Sequence, residues 1–189
     1  MTCSKCGYIR QFSKTSVKPK ILIIGLIIYS SMQSYLIING NFENNSFYPD
    51  SIKYMIMAIM GCVVIEIIAG TEIRGGLDIT RKDNPLIESL VLLKMLGPFK
   101  YIHTILGLTL LAVVYYLRKA VTDTKSYSSS IMIYATNAML VIIGIQILLG
   151  ESLVFFDVKP IVQLFHMWFS SLFLGLSIVQ YTCWEISNS

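Results

Sequence analysis

The sequence predicts an all-α, polytopic membrane fold: a four-helix bundle made of two helix–loop–helix repeats, preceded by one additional N-terminal hydrophobic helix. Three observations predict it. Of the 189 residues, 54% are hydrophobic and only 14% charged, and the mean hydropathy is +0.66, the composition of a membrane protein. Five apolar stretches approach the roughly 20 residues that a helix needs to cross a bilayer: Ile21–Ile38, Tyr54–Gly70, Tyr101–Leu117, Ile131–Gly150 and Ile161–Cys183. Finally, the same short pattern closes two of these stretches.

Residues 1–20 form a polar, basic tail with Lys5, Arg10, Lys14, Lys18 and Lys20. Cys3 and Cys6 make a C-x-x-C there, half of a zinc site or a redox pair by spacing. No second C-x-x-C follows and no histidine is near, so a closed zinc site would need another chain, and the pair reads as two thiols in a polar tail. The stretch 21–38 has spanning length, a long basic lead and no small-residue cleavage site after it. It reads as an uncleaved helix rather than a signal peptide. A polar loop, NGNFENNSFYPDSIK, separates it from the bundle at 54–183.

Within the bundle, Tyr54–Gly70 carries Glu66 near its end, and TEIRGGLD follows as a loop holding Arg74. The centre of this long connection, PLIESLVLLKML, is apolar on one face and too short to span. It reads as an interfacial amphipathic helix at about 85–97, started by Pro85 and stopped by Gly97-Pro98. Tyr101–Leu117 ends at the polar RKAVTDTKSYSSS. Ile131–Gly150 holds Asn137 and Gln146, ESLVFFDVKP connects it onward, and Ile161–Cys183 ends at WEISNS. Cys62 and Cys183 lie in apolar helices and read as small core residues. The net charge of +4 is modest and bears on topology; nothing points to nucleic acid.

IEIIAGTEI (65–73) aligns with IQILLGESL (145–153). Each is read as a helix end of the form Ile-[Glu/Gln]-Ile-x-x-Gly, followed by a loop and a helix with a histidine near its start. Sites in membrane folds often form where such repeats meet. The chain's two histidines are those two, His103 and His166. One intervening helix makes their helices run in the same direction, so both imidazoles sit at similar depth on one side.

An intramembrane histidine is a functional hypothesis by default. A lone one is as readily an interhelical hydrogen bond; the matched pair points to two axial ligands of a haem iron. Zinc or copper fits less well, because no acidic or thiol residue is placed to complete the coordination. Gly107 and Gly175 give room for a bulky ring or for close helix packing. Glu66 and Gln146 occupy equivalent places, as second-shell contacts to the haem edge or as polar helix-end residues. Arg74 is a candidate propionate contact or a solvated charge. Phe165, Trp168, Phe169 and Phe173 suit either a porphyrin face or a bundle core.

GTEIRGGLD, YIHTILG, IQILLGESLVFF and IVQLFHMWFSSLFLG, in that order and spacing, resemble the heme A synthase family of cytochrome oxidase biogenesis. The likeness is to the family's C-terminal four-helix half and covers about residues 54–179. It implies two four-helix halves related by a pseudo-twofold axis, each with two histidines on its second and fourth helices at the non-cytoplasmic side. It implies that His103 and His166 ligate a b-type haem cofactor, while the other half takes the substrate. The implied reaction oxidises a methyl group of haem O, or a related haem substrate, to a formyl group.

The chain departs from that pattern. It has one histidine pair, Thr104 stands where the family has arginine, and Lys100 stands where the family's first half carries an acid. The expectation is therefore a haem-binding oxidoreductase that completes its site as a homo-oligomer or with a separate chain supplying the other half. The alternative is a non-catalytic b-type cytochrome or haem carrier. The lipid bilayer is the expected environment, the bacterial cytoplasmic membrane ahead of the mitochondrial inner membrane. No catalytic residue is assigned.

Overall fold

The structure is a computed structural model that describes residues 28–31, 33, 35, 48–83, 91, 98–124, 130–155 and 159–188. Four helices carry the fold: α1 (Asp50–Asp83), α2 (Phe99–Asp123), α3 (Ser130–Phe155) and α4 (Pro160–Ser187). No strand occurs among the described residues. Each helix contains a segment long and apolar enough to cross a membrane: Asp50–Leu77, Phe99–Asp123, Ser130–Val154 and Pro160–Ser187. At about 1.5 Å per residue, each exceeds the roughly 30 Å hydrocarbon layer. The chain is an all-α integral membrane protein.

Prolines set three of the helix starts. The Pro98 carbonyl accepts hydrogen bonds from the amides of Tyr101 (3.0 Å) and Ile102 (3.2 Å), and the Pro49 carbonyl accepts from Ile52 (3.0 Å). Pro160 occupies the first turn of α4, where its fixed φ is pre-organised and its missing N–H costs nothing. Lys159 before it is extended, at φ −66° and ψ 129°, as the proline ring demands of its predecessor.

The helices close a ring in which α1 contacts α2 and α4, and α3 contacts α2 and α4. The two histidine-bearing helices, α2 and α4, therefore face each other diagonally. This contact pattern is unchanged when the pair α1–α2 is exchanged with α3–α4.

Burial shows the repeat more fully than the sequence motif does. On α1, Ile52, Ile56, Ile59 and Val63 are buried, with Glu66 and Gly70 continuing the stripe; on α3, Met132, Thr136, Met139, Ile143, Gln146 and Gly150 follow the same spacing. On α2 the stripe is His103, Gly107, Leu110, Val114, Leu117 and Val121. On α4 it is His166, Ser170, Phe173, Ser177, Gln180 and Trp184, again with identical spacing. Such a periodicity of three and four keeps one face of each helix on the bundle axis.

The buried residues of all four stripes concentrate at the end away from the histidines. There the core is dry and locked by polar contacts. Gln180 Nε2 donates to the Met132 carbonyl (3.1 Å) and to the hydroxyl of Thr136. Arg118 Nε donates to Asn137 Oδ1 (2.8 Å), and Asn188 and Tyr48 exchange two hydrogen bonds (2.8 and 3.0 Å). Leu117 is fully buried in this end. Leu117→Ala leaves a cavity there and lowers stability by about 2–4 kcal/mol, seen as a drop in the thermal midpoint of the detergent-solubilised protein.

Residues 28–31, 33 and 35 are helical and lie along α4. Ile28 Cδ1 would stand 3.3 Å from a Cβ on Gly175, and the Tyr29 hydroxyl donates to Glu185 Oε2 (2.7 Å). Gly175 thus serves close helix packing, and a ring is not what it admits. The rest of the 21–38 stretch, Cys3 and Cys6 lie outside the described residues, as does the expected amphipathic helix at 85–97 apart from Val91, which is helical.

One expectation is corrected. Ile-[Glu/Gln]-Ile-x-x-Gly does not end a helix in either repeat: α1 continues 13 residues past Gly70 to Asp83, and α3 continues past Gly150 to Phe155. A glycine inside a helix costs only about 1 kcal/mol relative to alanine, and no proline follows either one closely. GTEIRGGLD is accordingly helical, and Arg74 projects from α1 rather than from a loop.

Candidate functional site

His103 and His166 head the inward stripes of α2 and α4, so the bundle brings them together across its axis. Their ring centroids are 6.2 Å apart and their planes inclined at 64°. Both are half-buried. No helix backbone separates them, because diagonal helices in a four-membered ring leave a channel between them.

The flanking helices shape the space around each imidazole in the same way. A Cβ on Gly70 would stand 3.6 Å from His103 Cε1, and a Cβ on Gly150 3.7 Å from His166 Cε1. The glycine of each repeat thus lies beside the histidine of the next helix. A Cβ on Gly107 would meet Glu66 Oε1 at 3.6 Å, so Gly107 makes room for a carboxylate.

The polar neighbours differ between the repeats. Glu66 Oε2 lies against Nδ1 of His103, with the Glu66 side chain 12% exposed. Gln146 instead spends its amide nitrogen on the His166 carbonyl (2.8 Å) and the Ser170 hydroxyl (2.7 Å), and Ser170 donates to the same carbonyl (3.0 Å). Gln146 Oε1, both carboxylate oxygens of Glu66 and the Nδ1 atoms of His103 and His166 are buried without a hydrogen-bond partner, although Glu66 Oε2 and His103 Nδ1 lie against each other. Buried polar atoms are normally satisfied, and five of the seven unsatisfied ones among the described residues gather here, the other two being Gln180 Oε1 and Trp184 Nε1 at the far end.

The pair fits a haem. An imidazole nitrogen binds a first-row metal at about 2.0–2.1 Å, and a ring nitrogen lies about 1.2 Å from its centroid. Two such imidazoles on one iron would therefore have centroids about 6.4–6.6 Å apart, close to the 6.2 Å seen. Axial ligation fixes the nitrogen–iron axis and leaves the ring planes free to turn about it, so the 64° inclination is compatible. Among the described residues no group of three or more His, Cys, Asp or Glu is placed to hold a metal ion. Two histidines alone leave a bare ion under-coordinated, whereas a macrocycle brings its own nitrogens.

The remaining sequence candidates divide. Arg74 lies two turns beyond Glu66 on α1, with Nη1 3.2 Å from Sδ of Met167 beside His166, at the histidine end of the bundle. Phe165 and Trp168 are exposed and stack edge-on with each other on the outer face of α4, away from the histidine pair. Phe173 is buried in the core, and Phe169 packs against it. Cys183 is buried in the same core, which Cys62 packs against. Sequence reasoning missed Gly70, Gly150 and Ser170. The glycines were legible as the fixed last letter of the repeated motif; Ser170 had no signal beyond lying one turn after His166.

A family model described as cytochrome oxidase assembly protein, COX15-CtaA, matches residues 21–178. The match begins well before Tyr54 and so takes in the N-terminal hydrophobic stretch. No curated protein and no solved structure matches the chain.

Proposed function

The chain belongs to the cytochrome oxidase assembly protein family COX15-CtaA, and on that premise we propose that it is a haem-binding membrane oxidoreductase that oxidises the methyl group of haem O to a formyl group. The coarser role, in cytochrome oxidase assembly and haem A synthesis, comes with the family. The observation that carries the finer reading is the 6.2 Å separation of the His103 and His166 rings across the bundle, the spacing of a bis-imidazole iron site.

His103 and His166 would hold a b-type haem through their free ring nitrogens. Such a group supplies one-electron redox chemistry at its iron. The protein contributes the rest. Gly70 and Gly150 lie beside the imidazoles, Glu66 orients the His103 ring, Gln146 ties down the backbone of α4 at His166, and the packed half below excludes water. Arg74 at the rim offers a guanidinium to a propionate. The other haem, the substrate, would be met in a homo-oligomer or with a chain supplying a second four-helix half. The bacterial cytoplasmic membrane is the proposed location.

A second reading has its own support: the chain's only two histidines form one site, which suffices for a b-type cytochrome or haem carrier. The purified protein in detergent is expected to show a six-coordinate low-spin haem spectrum. A haem-free preparation after expression with ample haem sinks both readings. Haems extracted from cells that make haem O separate them. A hydroxylated or formyl product marks the enzyme; its absence, with any partner half co-expressed, marks the carrier.

A further inference from the structure

The repeats place different groups behind the two histidines, and this asymmetry has a chemical consequence. Position 66 is a carboxylate and position 146 an amide, at equivalent points of α1 and α3. Glu66 reaches the side chain of His103, its Oε2 against Nδ1. Gln146 gives its amide nitrogen to the backbone and hydroxyl of α4 rather than to the His166 ring.

We infer that Glu66 is a positioning residue that makes the two axial ligands unequal and lowers the reduction potential of the bound iron through His103. This rests on the haem-ligand reading above. With a haem held at Nε2, this contact would set the Nδ1 proton of His103 against the carboxylate and leave Nε2 carrying the lone pair. It fixes the tautomer that ligates and makes that nitrogen the stronger electron donor. A charge on Glu66 would also act on a metal held by His103 from a poorly solvated place, where Coulomb interactions are strong. Both effects favour the oxidised iron, which bears one more positive charge than the reduced iron. Reduction adds one electron and here needs no change in the protein's covalent bonds. His166, backed by a neutral amide committed elsewhere, has no such support.

Spectroelectrochemical titration of the haem-loaded full chain tests this. Glu66→Gln keeps the shape and removes the charge. It is expected to favour reduction by about tenfold or more, a positive shift of about 59 mV per tenfold for one electron, with the low-spin spectrum intact. Gln146→Glu, with Glu66 in place, is expected to shift the midpoint the other way. A purely structural role for Glu66 would alter haem retention and leave the potential of the retained haem where it was. Unchanged midpoints with intact low-spin spectra overturn the inference while leaving the ligand reading standing. Should Glu66→Gln not hold haem, Gln146→Glu decides alone: a lower midpoint supports the inference and an unchanged one overturns it. A wild-type chain that binds no haem overturns the ligand reading and this inference together.

Discussion

On the proposed ligand assignment, His103→Ala and His166→Ala are each expected to abolish the six-coordinate low-spin spectrum and to lower haem retention by at least about 100-fold. The magnitude follows from a lower bound: changes in groups that merely support a metal ligand already cost about 10–100-fold, and these changes remove the ligand itself. The two rings face each other at 6.2 Å, and no third histidine exists in the chain to replace either. The fold should survive both substitutions. Both positions are half-buried, and the stripe of buried residues begins about two turns further on, at Leu110 and Phe173. Haem-to-protein ratio and absorption spectrum give the result, with helical circular dichroism as the control. A variant with unchanged ratio and spectrum removes that histidine from the ligand set.

Gly150→Leu and Gly70→Leu produce the next largest effect, and Gly→Ala at the same positions sets the scale. A Cβ would stand 3.6–3.7 Å from the imidazole Cε1 atoms, an ordinary contact. Alanine is therefore accommodated, and the helix gains about 0.5–1 kcal/mol from the loss of glycine's freedom. Leucine branches one bond further, into the ring. Overpacking of this kind typically costs about 1–3 kcal/mol, roughly 5- to 150-fold in affinity. The expected pattern is near-normal haem content with raised thermal stability for the alanine variants, and depleted haem for the leucine ones. Equal haem content in alanine and leucine variants would show that these glycines do not border the ligands.

Much of this was legible in the chain. Length and polarity of the apolar stretches located the membrane helices, because a bilayer demands that backbone groups be satisfied within each helix. The alternation of direction placed both histidines at one end. The repeated motif paired Glu66 with Gln146 and, through its last letter, Gly70 with Gly150. The helix ends were misread because glycine looks like a stop signal in a sequence, whereas in α1 and α3 it serves close approach within a continuing helix. The aromatics around His166 were ambiguous for a different reason. Composition cannot say which face of α4 looks inward, and the stripe beginning at His166 turns Phe165 and Trp168 outward.

The sequence by itself determined the membrane class, the all-α bundle, the family and the histidine pair as candidates. These depend on local hydropathy and on spacing along one chain, which carry over directly into helices. It took the folded bundle to show that α2 and α4 are diagonal partners rather than neighbours, that their imidazoles stand 6.2 Å apart, and that Glu66 reaches a side chain where Gln146 reaches a backbone. Those are properties of how four helices pack. Rotation of each helix by a fraction of a turn, fixed by the buried stripes at the far end, chooses which polar atom ends against which, and no single segment encodes it.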